Sequence, residues 1–485
     1  MVDVRSDIVL ATINAGYAHC SLALRSLRAQ LGPLREQSAL LEFHGQPDAE
    51  RVARAILERH PRVCGLGVYI WNAALVPEVI ARLKLARPDL TVLVGGPEVS
   101  YGTAHLRLRT SPDVIVAGEG ELVIRMLVER ALAGHPLPRH VESPTPQWEQ
   151  LQDPEPEYTA EDLAHRVIYV ESSRGCPYSC EYCLSCLSPG VRYRPEDRVR
   201  RAWGELLGRG ARRIKVVDRT FNADPSRAAR LLKFLAAHLP PDGCVQVEMV
   251  PQRFHAELMD AVAGFRPGAL RVEVGIQTYN SEVAHVIHRP AFHTVADGFI
   301  RALRERGAVV HADLIAGLPG ETPESFAAGF DRLVRLEPDE LQLNILKRLP
   351  GVPIARHEAE WGLRFDPHPP YAVLETRTWS REAMAAVHRM SRYWDLLYNR
   401  GRFRRSLSLL WSVAGGSPFH STAALSEALF QELGRTYAIA PEEIARVILR
   451  YLTERLGGSR ELVLERLRDD FRAAGVKLPR WLRTL

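Results

Sequence analysis

Four cysteines, Cys176, Cys180, Cys183 and Cys186, fall within eleven residues of the stretch ESSRGCPYSCEYCLSCL. Thiolates this close together bind metals, and three ligand sets compete. Four thiolates on one zinc ion would make a closed structural site, although zinc ribbons and fingers join two separated pairs and this run is one continuous loop. Cys180, Cys183 and Cys186 give a C-x2-C-x2-C run of the ferredoxin kind, but that kind needs a fourth cysteine where Gly190 stands. Cys176, Cys180 and Cys183 give a C-x3-C-x2-C set with the aromatic Tyr182 directly before its last member. Three thiolates on a four-iron cluster leave one iron open to a further ligand, the open position that separates catalytic from structural metal sites. The odd total of seven cysteines, four of them clustered, suits metal binding in a reducing compartment better than a disulfide framework.

Something must hold such a loop in place, and the surrounding pattern says what. Residues 8–132 alternate short apolar runs (DIVLATI, SALLEF, VCGLGVYI, TVLVGG, DVIVAG) with amphipathic stretches, the pattern of a parallel sheet covered on both faces. A doubly wound, flavodoxin- or Rossmann-like α/β domain is predicted over residues 1–135. Its strands lead into the loops NAGYAHC, YIWNA, GGPEVSYG and AGEGE, at the edge where such sheets bind ligands. Residues 136–165 are rich in proline, lack an apolar period and read as a linker. A second alternation, VIYVESS, RIKVVD, VQVEMV, LRVEVGIQ, VVHADLIAG and ELQLNIL, predicts six strands of a partial (βα)6 TIM-like barrel over residues 166–360, with its chemistry at the carboxyl ends of the strands. The cysteine loop follows the first of them. Residues 365–485 turn helical and are predicted to form a separate C-terminal domain.

A chain of 485 residues with 46% hydrophobic and 25% charged residues has the composition of a soluble, multidomain globular protein. A net charge of +5 over so many charged side chains argues weakly for polyanionic partners. The start, MVDVRSDIVLATIN, lacks the basic opening and long apolar core of a secretory signal, and no run approaches the roughly 20 apolar residues of a membrane span. The expectation is a cytoplasmic monomer.

The C-x3-C-x2-C set with Tyr182 resembles that of the radical S-adenosylmethionine (SAM) superfamily. The resemblance implies that Cys176, Cys180 and Cys183 hold a 4Fe-4S cluster whose open iron chelates SAM. Reductive cleavage then yields a 5'-deoxyadenosyl radical, with flavodoxin or ferredoxin as electron donor. The coproporphyrinogen-dehydrogenase branch places a glutamate at the end of the third strand, a glutamine at the end of the fourth, an arginine twelve residues on and an aspartate in the fifth. This chain has Glu248, Gln277, Arg289 and Asp313 in those places. They are implied to contact SAM together with Tyr182 and with Asp218 and Thr220 of the loop DRTFN, which follows the second strand where the family has its loop for the SAM amino group and departs from the family's glycine pair.

A doubly wound domain directly before such a barrel resembles the cobalamin-binding class of the superfamily. That resemblance implies a corrin over the carboxyl edge, contacted by Asn14, Gly16 and Tyr17, by Tyr69, Trp71 and Asn72, by Gly95, Gly96 and Glu98, and by Gly118, Glu119 and Gly120. The Asp-x-His-x-x-Gly motif of other cobalamin domains is absent: His19 has Tyr17 two before it and Leu22 three after. Base-off cobalamin with no protein histidine on cobalt is expected, and His19 is expected to bond locally at a helix start. The commonest activity of the class is radical methyl transfer, here to a small or natural-product-like molecule. A ring contraction, cyclisation or redox rearrangement with the same cofactors is the alternative. A third reading, docking of RNA, draws on RYWDLLYNRGRFRRSL, which mixes aromatics with arginines; an amphipathic helix packed on the barrel is the competing expectation.

Overall fold

The computed structural model describes residues 5–45, 47–106, 108, 110–251 and 255–483. The first six strands are β1 (Ile8–Ile13), β2 (Ser38–Phe43), β3 (Val63–Gly67), β4 (Thr91–Gly95), β5 (Val114–Ala117) and β6 (His140–Glu142). They form one parallel sheet in the order β2-β1-β3-β4-β5-β6. Along β1 the side chains alternate: Val9, Ala11 and Ile13 pack under one helical layer with Val52, Ile56 and Val79, while Ile8 and Leu10 pack under the other with Leu24 and Leu127. Burial on both faces explains the unbroken apolar runs. The strand order reverses beside β1, so the loops after β1 and β3 flank the switch point. The proline-rich segment expected as a linker between domains also contributes β6, whose His140 pairs in register with Ile115. Three residues, two of them exposed and Val141 half-buried between them, carry no apolar period, which is why the pattern hides an edge strand here.

The barrel begins with β7 (Ile168–Val170), followed by a hairpin of β8 (Ser173–Cys176) and β9 (Gly190–Tyr193). Then come β10 (Arg213–Val216), β11 (Cys244–Met249), β12 (Leu270–Gln277), β13 (Val309–Ala316) and β14 (Glu340–Ile345). The six predicted barrel strands pair in parallel as β14-β13-β12-β11-β10-β7, an open sheet whose two end strands do not pair with each other. On β12 the buried residues Leu270, Val272, Val274 and Ile276 face the helices, so Arg271, Glu273, Gly275 and Gln277 face the lumen. A polar inner face is the surface of a binding chamber rather than of a packed barrel core.

The C-terminal helices do not stand apart. Phe419 packs edge-on against both Phe326 and Phe330 of the barrel helix Pro323–Arg335, and Trp394 packs edge-on against Phe330 in the same core. The indole of Trp394 donates to the Leu341 carbonyl at 2.7 Å, and the Tyr398 hydroxyl donates to that of Pro338 at 2.7 Å. The helix Arg381–Trp394 packs beside β14, closing a hydrophobic core continuous with that of the barrel. Within RYWDLLYNRGRFRRSL the aromatics Tyr393, Trp394, Tyr398 and Phe403 are buried, which leaves none of these rings to stack on bases. No helix of the described residues is long and apolar enough to cross a membrane.

The first domain is bolted to the segment that leads into the barrel. The backbone N–H of Val167 donates to Ala18 at 2.7 Å, and Arg25 donates to Glu42 of its own domain at 2.9 Å and to Asp162, just ahead of β7, at 2.7 Å. Arg166 reaches the same Glu42 at 2.9 Å.

Candidate active site between the barrel and the sheet edge

The β8–β9 hairpin presents the cysteine loop. Gly175, at φ +86°, lies where an added Cβ would sit 2.1 Å from the Gly190 carbonyl, so only glycine lets the two strands close beside Cys176. The thiols of Cys176 and Cys180 are buried; those of Cys183 and Cys186 are partly open. The loop is tightened by backbone bonds from Cys183 to Cys180 and from Cys186 to Cys183, both 3.1 Å. Thr220, from the loop after β10, brings its hydroxyl within 3.5 Å of Cys176 Sγ. Burial pushes the Cys180 thiol up, against the pull of Arg289 at 3.7 Å.

Sulfurs sharing one zinc stand about 3.8 Å apart, given Zn–S bonds of about 2.3 Å. Among the described residues the one group of metal-ligating types with all ligand atoms within 4.8 Å of one another is Cys20, Glu42 and Asp162. The four loop cysteines are therefore not arranged for a single zinc ion. Nor is the Cys20 group a free metal site: Arg25 and Arg166 already neutralise its two carboxylates, and burial pushes the Cys20 thiol up to about 12.

The lumen gathers the residues predicted around SAM. Gln277 ends β12 at φ +68°, a left-handed conformation that costs a non-glycine residue of order 1–3 kcal/mol and that clusters at functional sites. The pairing of β12 with β13 slips between Gly275 and Gln277, re-aiming the glutamine, whose buried Oε1 has no hydrogen-bond partner. The buried Oδ1 of Asp313 likewise has none, although His311 Nε2 lies 3.3 Å from it. Arg289 donates to the Tyr182 hydroxyl at 2.7 Å and to the carbonyls of Gly275 and Ile276, and has no carboxylate within ion-pairing distance among the described residues. Burial, reinforced by the negative charge of Glu273, pushes Glu248 up to about 7. Burial works against a charge on His311, but Asp313, Glu273 and Glu340 outweigh it and hold its pKa at about 8. Asp218, in contrast, is taken up structurally: it accepts from the Ser172 N–H at 2.7 Å and from the Ser172 and Ser173 hydroxyls at 2.6 Å, which ties down the end of β7.

Sequence reasoning overlooked Lys215, Glu273 and His311, which line the lumen below these groups; Lys215 lies 3.2 Å from Glu273. The inward positions of alternating strands would have found them.

The carboxyl edge of the first sheet faces this chamber with aromatic side chains. Tyr17, Trp71 and Tyr101 leave its loops with 45%, 54% and 46% of their surface exposed, unusual for residues of this size and grouped at one edge. Trp71 is held flat on Tyr69, ring centres 4.7 Å apart, by its indole bond to the Ile13 carbonyl at 2.8 Å. Asn14 and Asn72 brace the loops instead of reaching outward: Asn14 donates to Glu42 and to the His19 carbonyl, Asn72 to the Ile13 and Gly67 carbonyls. Gly96, at φ +112°, lets the backbone pass where a Cβ would strike the Val68 carbonyl at 2.5 Å. Gly16 and Gly118 lie in the loops of the same edge, Gly95 ends β4 there, and Gly120 starts the helical turn after β5. Glu119 turns to the cysteine hairpin and pairs with Arg174 and Arg192. Glu98 is buried, accepting from the Tyr371 hydroxyl at 2.9 Å with His105 at 3.4 Å, and burial pushes its carboxyl up. His19 does bond through its ring, but to a distant partner: Nδ1 lies 2.5 Å from the hydroxyl of Tyr169 on β7.

Comparison with known proteins agrees with this architecture. Residues 8–128 match the B12 binding domain, residues 170–333 the radical SAM superfamily and residues 359–484 a protein family of unknown function, DUF4080. A 2-(S-pantetheinyl)-carbapenam-3-carboxylate methyltransferase of Streptantibioticus cattleyicolor is 24% identical over 412 residues, 72% of this chain. The chain spans 58% of that relative's length. Among solved structures, the cobalamin-dependent SAM radical enzyme OxsB with aqua-cobalamin superposes at a TM-score of 0.66 over 99% of this chain and 83% of its own, at 13% identity. The radical SAM methyltransferase TsrM of Kitasatospora setae, with tryptophan substrate and a SAM analogue, gives 0.60 over 73% of this chain and 76% of its own, at 20% identity. Both are likenesses of fold.

Proposed function

We propose, from the premise that the chain belongs to the radical SAM superfamily and carries a B12-binding domain ahead of its barrel, that it is a cobalamin-dependent radical methyltransferase acting on a small molecule. One observation carries the reading. Arg289, without a carboxylate partner among the described residues, lies 3.7 Å from Cys180 Sγ, and the lumen beside it holds two buried acceptors, Gln277 Oε1 with no hydrogen-bond partner and Asp313 Oδ1 with only His311 at 3.3 Å. A zwitterionic ligand fits such a set: the guanidinium takes its carboxylate, and the two acceptors take its amino or hydroxyl protons. SAM is a ligand of that kind.

Cys176, Cys180 and Cys183 would hold the 4Fe-4S cluster, and Glu248, Gln277, Arg289 and Asp313 the SAM. Tyr17, Trp71 and the glycine-lined loops would take the corrin. When bound, these groups supply reductive cleavage of SAM to a carbon radical and a methyl group for transfer, with flavodoxin or ferredoxin as the electron source. The chain's own part is placement and exclusion of water: Arg289 fixes the SAM carboxylate beside Cys180, and the aromatic edge closes the chamber from the side of the first domain. His19, bonded to Tyr169, is committed elsewhere, which supports cobalamin bound base-off without a protein histidine on cobalt.

The test is anaerobic purification with iron, sulfide and cobalamin, then reaction, with reduced flavodoxin or another low-potential reductant present, with SAM labelled with deuterium in its methyl group. Formation of 5'-deoxyadenosine and transfer of label to bound corrin are expected. Deoxyadenosine without label on corrin or product would leave rearrangement without methyl transfer; neither corrin binding nor deoxyadenosine would sink the reading. Trp71→Ala is expected to weaken cobalamin retention roughly 3- to 10-fold, the loss of one aromatic face, with the melting temperature nearly unchanged because the ring is half exposed. Equilibrium dialysis against cobalamin measures it.

A further inference from the structure

We propose that Glu181 is a positioning residue of the cysteine loop: Glu181 and Tyr182, adjacent in that loop, grip His288 and Arg289, adjacent in the turn after the short helix Ser281–Val286 that follows β12, and so hold the Cys180 and Cys183 thiols and the Arg289 guanidinium in one frame. The proposal rests on the radical SAM reading and adds a residue that the cysteine motif leaves unspecified.

Glu181 stands between two of the three thiols yet is only 2% exposed, an unusual place for a carboxylate in a surface loop. Its burial is compensated from two other elements. His288 Nδ1 lies 2.9 Å from Oε1, Arg356 also reaches Oε1, and His357 Nε2 lies 2.7 Å from Oε2. The backbone is fastened to the same partners: the Glu181 N–H donates to the Ile287 carbonyl at 3.1 Å, and the Ile354 N–H donates to the Glu181 carbonyl at 3.1 Å. The loop is thus anchored to the turn that ends in Arg289 and to the segment Pro353–His357 beyond β14.

The turn needs such an anchor. His288 adopts φ +51°, a conformation that persists in a non-glycine residue only when its surroundings over-determine it. With Gln277 at φ +68°, two strained residues bracket the segment that carries both Gln277 and Arg289. The next residue on each side completes the pairing, since Arg289 donates to the Tyr182 hydroxyl at 2.7 Å. Neighbouring residues of one loop therefore contact neighbouring residues of the other, which fixes distance and rotation together. A single contact would leave rotation free.

The experiment compares the parent chain with Glu181→Ala, Glu181→Gln and His288→Gly after anaerobic reconstitution with iron and sulfide. It reads iron per chain, the EPR spectrum of the reduced cluster with and without SAM, and the melting of each chain before reconstitution. Glu181→Ala is expected to lose more than half its iron on desalting and to need roughly tenfold more SAM for the spectral change, the scale of a lost outer partner at a metal site, while melting like the parent before reconstitution. Glu181→Gln keeps its iron, but its reduction midpoint moves positive because a negative charge between two ligands is gone. His288→Gly, which relieves the backbone and removes one contact, keeps its iron and shows the weakened SAM response alone. Parental iron retention and SAM response in Glu181→Ala overturn the proposal. If Glu181→Ala fails to fold, the double variant Arg356→Ala with His357→Ala decides: parental iron retention there means that the contact serves only the fold. A parent chain that takes up no iron overturns the radical SAM reading instead.

Discussion

Alanine in place of Cys176, Cys180 or Cys183 is expected to reduce 5'-deoxyadenosine formation to background and to strip most of the iron, whereas Cys186→Ala retains both. The magnitude follows from what each thiolate would do. Outer partners of a metal site cost about 10- to 100-fold when removed; a lost ligand leaves an iron without its thiolate in a loop that is partly open at Cys183, and the cluster is released. The fold should survive, because the hairpin register beside Cys176 is set by backbone pairing and by Gly175, neither of which involves the sulfur. Iron and sulfide content, the visible absorbance of the cluster and a deoxyadenosine assay on all four variants measure the contrast. Equal losses at Cys186 would extend the ligand set beyond the three.

The second large effect concerns assembly. Arg25→Ala is expected to loosen the first domain from the barrel by about 3 to 5 kcal/mol, the usual cost of removing one partner from a buried charge network. Arg25 bridges Glu42 and Asp162 with all three side chains nearly inaccessible, so its loss leaves two carboxylates sharing Arg166. Burial alone would push both carboxyls up, yet Arg25, together with the hydrogen bonds from Asn14 and Ser21 to Glu42 and from Thr159 to Asp162, holds both below the ordinary range. For a depressed carboxyl the contribution is complete above its unfolded pKa, about 4, and is lost as pH falls through the folded value. The parent interface should therefore weaken only in strong acid. In Arg25→Ala the sign reverses: two buried carboxylates left on the single guanidinium of Arg166 are relieved by protonation of one of them, so docking should improve as pH falls from 7 toward 5. Calorimetry across that range, resolving the first domain's transition, tests both the size and the direction.

Much of this arrangement is legible in the sequence because it is local or periodic. The cysteine spacing lies in eight residues, and the twelve strands that build the two sheets include eleven whose apolar runs are continuous or alternating. The exception, β6, is too short and too exposed to leave a pattern. The roles of single polar residues were harder to read. The position of Asp218 in the loop after the second strand suggests a SAM contact, and no pattern announces that its oxygens also accept from Ser172 and Ser173; Glu181 carries no motif signal, since its partners lie more than a hundred residues away. His19 was expected to bond within its own loop, yet the nearest suitable oxygen comes from Tyr169, across a domain boundary that no spacing rule anticipates. The C-terminal helices read as separate because amphipathic periodicity reveals that a face is buried and not which neighbour covers it.

The Glu98–Tyr371 bond bears on modularity. A front domain, a barrel and a helical tail invite exchange as independent parts, but this clasp joins a loop of the first domain to a strap after the barrel, 273 positions away in the chain. A chimera that imports a foreign front domain would strand the Tyr371 hydroxyl, and one that imports a foreign tail would bury Glu98 without its donor. Grafts that transplant residues 366–375 together with the front domain should express as well-behaved proteins where simple cut-and-paste fusions at the linker do not.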